Sequence, residues 1–443
     1  MWQKSSALNC ILIVCVLILV SICFHCASTK NMEQSETVQE TKTETERARL
    51  DSTQIVSRKK HYSQLYEYWK NGMYAEALEP GHKVIEIDST YTNAYFYLAD
   101  CYVKLEEFDK AQTVYEAGLR IDPENKYFHR GLAWVLLTKG LEEQAISEYE
   151  IVVEQFPEES SYHLILAKLY VNHENDEGAA REFERAVAVD LKTRERWIEE
   201  RDTMLSEKGP DDQQVQEYTT KIEETERQIR ASLSTLEILY RRNDMGAKLV
   251  DVYFHYLKMD SLDTQAMLNL GKQYYELGEN EKGEEILRKL IEMDPDNIDA
   301  HKFLGGCCVN LKKNAEAIAA YKRVVALDPE NKRGWTDLAS TYNEIGQYDE
   351  AERSVKRALR LDPDYGYAHV VYGEIYEARG EPFIEEEKSI PIEGKLIFLQ
   401  AWREYDKARK DPEWRNHATI KIEYLNNFIP TAQDTFFHNL GRN

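Results

Sequence analysis

Between Lys332 and Tyr365 the apolar residues fall into two helical stripes separated by a glycine. Trp335, Leu338, Ala339 and Tyr342 recur at intervals of three and four, the spacing of one helix face. Gly346 closes that helix. Ala351, Val355 and Ala358 form a second stripe, and Pro363 stops it, because a ring without an N–H cannot continue the helical ladder. The segment predicts helix, short turn, helix, stop. This layout recurs along the chain. Asp-Pro stands at Asp122, Asp294, Asp328 and Asp362, and weaker copies carry Asp88, Phe156, Asp190 and Asp260 in the same slot. From 88 to 190 and again from 260 to 362 these markers step by 34 residues; the step from 190 to 260 is 70, two periods plus two. A fixed period in this range marks a repeat architecture, in which each unit buries its apolar face against the next.

Laid along the chain, the frame gives repeats at 58–91, 92–125, 126–159 and 160–193, then at 230–263, 264–297, 298–331 and 332–365, with a further first helix carrying the array to 380. Residues 194–229 fill the gap. Arg194 to Lys208 is helical in pattern, Gly209 and Pro210 mark a turn, and no Gly or Pro interrupts Gln213 to Arg242. Val215, Tyr218, Ile222 and Ile229 make a thin apolar stripe there. Two readings stand, a decayed repeat or a helical insert, and in both the second helix is expected to run on into the next repeat. Residues 381–443 read as an interrupted last repeat followed by capping helices. Ala401, Tyr405 and Ala408 resume the second-helix pattern, while Trp414, Ala418, Tyr424 and Leu425 suit a cap over the last apolar face.

The first 27 residues follow no such pattern. One lysine, Lys4, precedes an apolar run from Cys10 to Phe24 that only Ser21 breaks. The run is 15 residues long, or 21 if counted from Ala7 to Ala27. That lies between the apolar core of a signal peptide, about 7–15 residues, and a bilayer-crossing helix, about 20. Both readings put the segment in a membrane. Residues 28–57 are rich in Thr and Glu, lack apolar periodicity and are expected to form a disordered tether.

The repeats resemble the tetratricopeptide repeat family, whose 34-residue period and signature are carried in 332–365 by Trp335, Leu338, Ala339, Tyr342, Ala351, Val355, Ala358 and Pro363. The resemblance implies an all-α fold, an α-solenoid coiled as a right-handed superhelix, with the first helix of each repeat lining a concave groove. Carried over by repeat position, the groove residues of the front half are Phe96, Tyr97, Tyr127, Arg130, Trp134, Leu164, Ile165 and Lys168. Those of the rear half are Asn269, Lys272, Tyr275, Lys302, Phe303, Arg333 and Asn343. The occupant that the resemblance implies is a protein partner, as an extended peptide or a helix. One subset of the family grips a C-terminal carboxylate with Lys and Asn at fixed positions of three repeats. This chain does not reproduce that set, and chaperone-tail binding is not expected. The N-terminal segment is similar to the bacterial lipoprotein signal, in which a cysteine after a small residue is acylated. Cys23 and Cys26 are the candidates, with Ile22 and His25 standing where the small residue belongs. That likeness implies a membrane-anchored protein of a bacterial envelope, on the periplasmic side, held by a lipid or by an uncleaved helix.

Charge and chemistry narrow the picture. The formal net charge is −23, which argues against a nucleic-acid partner, since phosphate binding needs a basic stripe. Of seven cysteines, Cys10, Cys15, Cys23 and Cys26 lie in the apolar segment; Cys101, Cys307 and Cys308 read as small core packers, not as a disulfide framework. No phosphate loop, nucleophile elbow or metalloprotease helix occurs, and His173 lacks the second histidine of a zinc helix. His129, His163, His301 and His369 all fall at position four of their repeats, a regularity of structure. No metal, cofactor or catalytic residue is expected. The reading is a non-catalytic scaffold working through its groove; the alternatives are an envelope lipoprotein that binds a glycan or small ligand and, last, an enzyme.

Overall fold

The computed structural model describes residues 50–385 and 390–431; the apolar segment, Cys23, Cys26 and most of the expected tether lie outside them. The described residues are helical, without a strand. Two compact units divide the chain, one ending at Leu239 and one beginning at Tyr240. In each, helical hairpins stack in series, each second helix packing on the first helix of the next repeat, as in an α-solenoid.

In the first unit the array opens with Ser52–Lys70. Asp51 caps this helix by accepting from the Thr53 and Gln54 N–H groups, while the Gln54 side chain returns a bond to the Asp51 N–H. This capping box draws residues 52–57, read above as tether, into the first helix. Tyr74–Ile87, Thr92–Lys104, Phe108–Ile121, Lys126–Thr138, Glu142–Gln155 and Ser160–Asn172 follow. The next two helices are long, Asp176–Lys208 and Gln213–Arg242, joined through Gly209 at φ 84°. The gap in the repeat frame is therefore the far part of two helices that belong to the flanking repeats. Val215, Ile222 and Ile229 are buried. Arg194 Nε donates to Glu226 Oε1 (2.6 Å) and Gln228 Nε2 to Asp190 Oδ2 (2.8 Å), pairing the two helices.

The second unit continues with Gly246–Met259, Thr264–Glu276, Asn280–Met293, Ile298–Asn310, Asn314–Leu327, Lys332–Glu344, Tyr348–Leu361 and Gly366–Gly380. A short turn of helix, Pro382–Glu385, precedes Ile392–Ala408, which packs on Gly366–Gly380 as a second helix would. Arg415–Leu425 then lays Ala418, Ile422 and Leu425 over Phe398, Ala401 and Tyr405. The array's last apolar face is covered in this way.

Three periodic devices account for the repeat. Small side chains sit where helices cross: Ala99, Ala133, Ala167 and Ala339 on first helices and Ala111, Ala145, Ala179, Ala317 and Ala351 on second helices have no exposed surface. The turn inside each hairpin needs one residue in the left-handed region. Gly72, Gly140, Gly278 and Gly346 supply it without strain, while Glu106, Glu174, Asp244 and Lys312 hold the same slot at φ between 54° and 60°. The third device explains the Asp-Pro marker. The aspartate ends a second helix in extended backbone and turns the chain: Thr90 N–H donates to Asp88, Glu330 N–H to Asp328 and Asp364 N–H to Asp362. Position four of the next first helix then donates to the carbonyl six residues back. His129, His301 and His369 reach Pro123, Pro295 and Pro363 through Nε2 at 2.8, 2.9 and 2.8 Å, and His163 reaches Pro157 at 3.3 Å. Tyr95 does the same to Ser89 through its hydroxyl, and Trp335 to Pro329 through its indole N–H, both at 3.0 Å. A donor ring, not histidine as such, is what the slot requires.

Candidate functional site

In the second unit the first helices Thr264–Glu276, Ile298–Asn310, Lys332–Glu344 and Gly366–Gly380 border an open hollow of about 430 Å³. Five of the residues expected in the rear groove line it: Lys272, Tyr275, Lys302, Phe303 and Arg333. Asn269 and Asn343 do not. Asn269 accepts from Gln265 on its own helix (3.1 Å), and Asn343 Oδ1 is buried without a hydrogen-bond partner. The hollow also draws on Gly306, Tyr321, Asp337 and Tyr367, which were not among the expected residues. Gly306 has a steric reason to be there. A Cβ on it would stand 2.7 Å from Tyr275 Cε2, so its absence lets the Tyr275 ring lie against the neighbouring helix. Tyr321 comes from a second helix, which a rule about first helices cannot reach. Gly306, Asp337 and Tyr367 occupy positions nine, six and two of their repeats and were within reach of the rule.

Aromatic walls and charged groups alternate around the opening. Tyr275 and Phe303 pack at a centroid distance of 5.8 Å, and Lys302 Nζ lies 4.6 Å above the Phe303 ring. Asp337 lies deep between Arg333 and Tyr367. The Tyr367 hydroxyl donates to Asp337 Oδ1 (3.1 Å), and Arg333 Nε is 3.7 Å from Oδ2. Burial pushes the Asp337 carboxyl up, and the neighbouring arginine and tyrosine only partly offset it.

The expected front residues lie in the first unit, where all of them are buried or half-buried. Phe96 and Tyr97 are 5% exposed and Arg130 is 4% exposed. The Tyr97 ring packs against Trp69, Phe96, Tyr66 and Tyr62 at 4.9 to 6.1 Å. Tyr127 bridges Phe96 and Phe156, with the Arg130 guanidinium over both Tyr127 and Phe156. Trp134 packs on Phe108, Ile165 is buried, and Leu164 and Lys168 are half-buried. Burial holds the Lys168 ammonium pKa below its ordinary range.

One cluster has the composition of a metal site, Glu284, Cys308 and Glu316. Glu284 is tied to Arg288 (2.8 Å) and Lys313 (2.7 Å), and burial pushes the Cys308 thiol up to about 11. Carboxylate and thiol are thus committed to ion pairing and packing, and the cluster carries no metal reading. Cys101 and Cys307 are likewise buried, with thiols pushed up to about 12.

Two models described as tetratricopeptide repeat match this chain, one at residues 68–135 and 309–369, the other at 143–192 and 268–332. The chain is a tetratricopeptide repeat protein. Among curated relatives it is similar to the Hsp70-Hsp90 organizing protein of Triticum aestivum, 35% identical over 65 residues, and equally to Hsp70-Hsp90 organizing protein 3 of Arabidopsis thaliana. Those alignments span 15% of this tetratricopeptide repeat chain and only 11% and 12% of the relatives' own length. Similar solved structures include MamA, 23% identical over 39% of this chain and 90% of that one at a TM-score of 0.33. A second is MamA 41-end from Desulfovibrio magneticus RS-1, 15% identical over 41% and 95% at a TM-score of 0.35.

Proposed function

We propose that this tetratricopeptide repeat protein is a non-catalytic scaffold that holds a segment of a partner protein in the hollow of its second unit. A second element of the proposal is that the N-terminal apolar segment keeps the repeats at a membrane of a bacterial envelope. The observation that carries the binding reading is the convergence of Lys272, Lys302 and Arg333 with Tyr275, Phe303 and Tyr367 on one open hollow. Aromatic rings and flexible cations on a concave surface are the groups that anchor peptide segments. A glycan reading needs open ring faces in the front array, where Phe96 and Tyr97 keep little exposed surface.

The test uses the full chain with a photo-crosslinking residue at Asn310, which lines the hollow and is exposed. Irradiation in cells should give an adduct of defined mass that Phe303→Ala abolishes. An adduct unchanged by Phe303→Ala, or none at all, removes the reading. Fractionation with intact-mass analysis of the N-terminus tests the membrane element: chain recovered in the soluble fraction would end it.

A further inference from the structure

Lys272, Lys302 and Arg333 come from three successive first helices and from different places along them, near the end, the middle and the start. Among the described residues each has its ion pair with an acid on its own helix. Lys272 Nζ is 3.6 Å from Glu276, Lys302 Nζ 2.5 Å from Asp299 and Arg333 Nε 3.7 Å from Asp337. The three cations are 40%, 32% and 67% exposed; Glu276 and Asp299 are exposed too, so those two pairs hold weakly, while Asp337 is largely buried. An incoming carboxylate therefore displaces Glu276 and Asp299 at little cost, and meets Arg333 on its exposed side while Asp337 stays behind it. In a chain of net charge −23, an aromatic-walled hollow lined by three cations against two acids, Glu276 and Asp337, is a local exception.

We infer that the hollow selects an internal acidic stretch of its partner, in extended conformation, reading several side-chain carboxylates and not a chain terminus. This rests on the scaffold reading above. The spacing supports it. Neighbouring helix axes lie about 8–10 Å apart, and an extended chain rises about 3.3 Å per residue. One helix step therefore matches roughly three residues. A lone carboxylate reaches one or two of the cations; acids at every third residue reach all three. An aromatic or aliphatic residue between them seats against Tyr275, Phe303 and Tyr367. Asp337, fixed by the Tyr367 hydroxyl, holds Arg333 in place for the ligand.

The experiment is fluorescence anisotropy with the full chain in mild detergent. The probe is an acetylated, amidated peptide with glutamate at every third position around one phenylalanine. It should bind, its lysine counterpart should not, and a free C-terminus should change affinity less than about twofold. Lys302→Glu and the double variant Lys272→Glu with Arg333→Glu should each weaken binding at least tenfold, about 1.4 kcal/mol. Lys322→Glu, on the exposed face of a second helix, should leave it within about twofold, and far-ultraviolet circular dichroism should show all variants folded. Equal loss in Lys322→Glu, or a strong preference for the free terminus, overturns the inference. Failure of the peptide while the Asn310 adduct persists removes the acidic-segment inference and leaves the scaffold; loss of both removes both.

Discussion

His163 offers the sharpest test of how the repeats are locked together. Its ring is 3% exposed and bridges two elements, donating from Nε2 to the Pro157 carbonyl and meeting Glu182 Oε2 at 2.8 Å through Nδ1. Glu182 is 2% exposed, and its other oxygen takes Arg181 Nε at 3.1 Å and Arg185 Nη1 at 3.3 Å. His163→Ala leaves Oε2 buried without its donor. Orphaning such an oxygen costs about 1–3 kcal/mol, and breaking a fully buried pair about 3–5. Two arginines, about half exposed, still hold the carboxylate, so we expect about 2–3 kcal/mol. That corresponds to a fall in Tm of roughly 2–4 °C for an array of this size. The assay is urea and thermal denaturation of the full chain in mild detergent for His163→Ala, Glu182→Ala and the double variant. Coupling of about 1–3 kcal/mol is expected between the two sites. Additivity within about 0.5 kcal/mol would refute the view that this pair closes the seam.

Acid should unlock the same seams. Burial works to raise the Glu182 and Glu404 carboxyls, but hydrogen bonds from His163 and Arg181, and from His369 and Lys407, outweigh it and hold both below 4.5. A carboxyl lowered by folding contributes stability above its unfolded value, lost as pH falls through the folded one; denaturation midpoints should drop below about pH 4.5, and less steeply in Glu182→Gln. Gly306→Ala should change stability by less than about 1 kcal/mol, since alanine favours the helix while its Cβ turns the half-buried Tyr275 ring into the hollow, so the Asn310 adduct should weaken; destabilisation by more than about 3 kcal/mol would show Tyr275 to be core instead. Lys312→Gly relieves a φ of 60° and should raise the urea midpoint, by up to about 1 kcal/mol in stability. Native-state alkylation read by peptide mass should spare Cys101, Cys307 and Cys308 until the chain unfolds, because each is buried and its thiol pKa is raised.

Most of the fold was legible because its causes are local and repeat. Ala339 and Pro363 each do one job within a hairpin and Trp335 one across the adjoining turn, and a side chain whose role recurs every 34 residues announces itself. The long helices were legible in part, through the unbroken pattern from Gln213 to Arg242. The hollow was harder to see. Its cations follow a position rule, but Asp337 matters through a hydroxyl on Tyr367, thirty residues along, and Gly306 matters through a ring on the preceding repeat. Such pairings are set by how hairpins stack, and no pattern within one hairpin encodes them. In the front array the same rule selected Phe96, Tyr97 and Arg130, whose rings and guanidinium pack among neighbouring rings. A position in the frame specifies direction, not exposure.

The bond from position four back across the turn bears on how such arrays change length. Deleting 298–331 would join Asn297 to Lys332 and put the Trp335 indole six residues after Pro295, the offset it now keeps from Pro329. Copy number can therefore change by whole periods and leave every junction chemically intact. A deletion one residue shorter that cuts within a helix would rotate the rest of that helix by about 100° and turn its apolar stripe away from the core. Gain and loss of complete units is the inexpensive path for this chain, and length variants outside multiples of 34 should survive only as insertions at helix ends, as between Asp176 and Arg242.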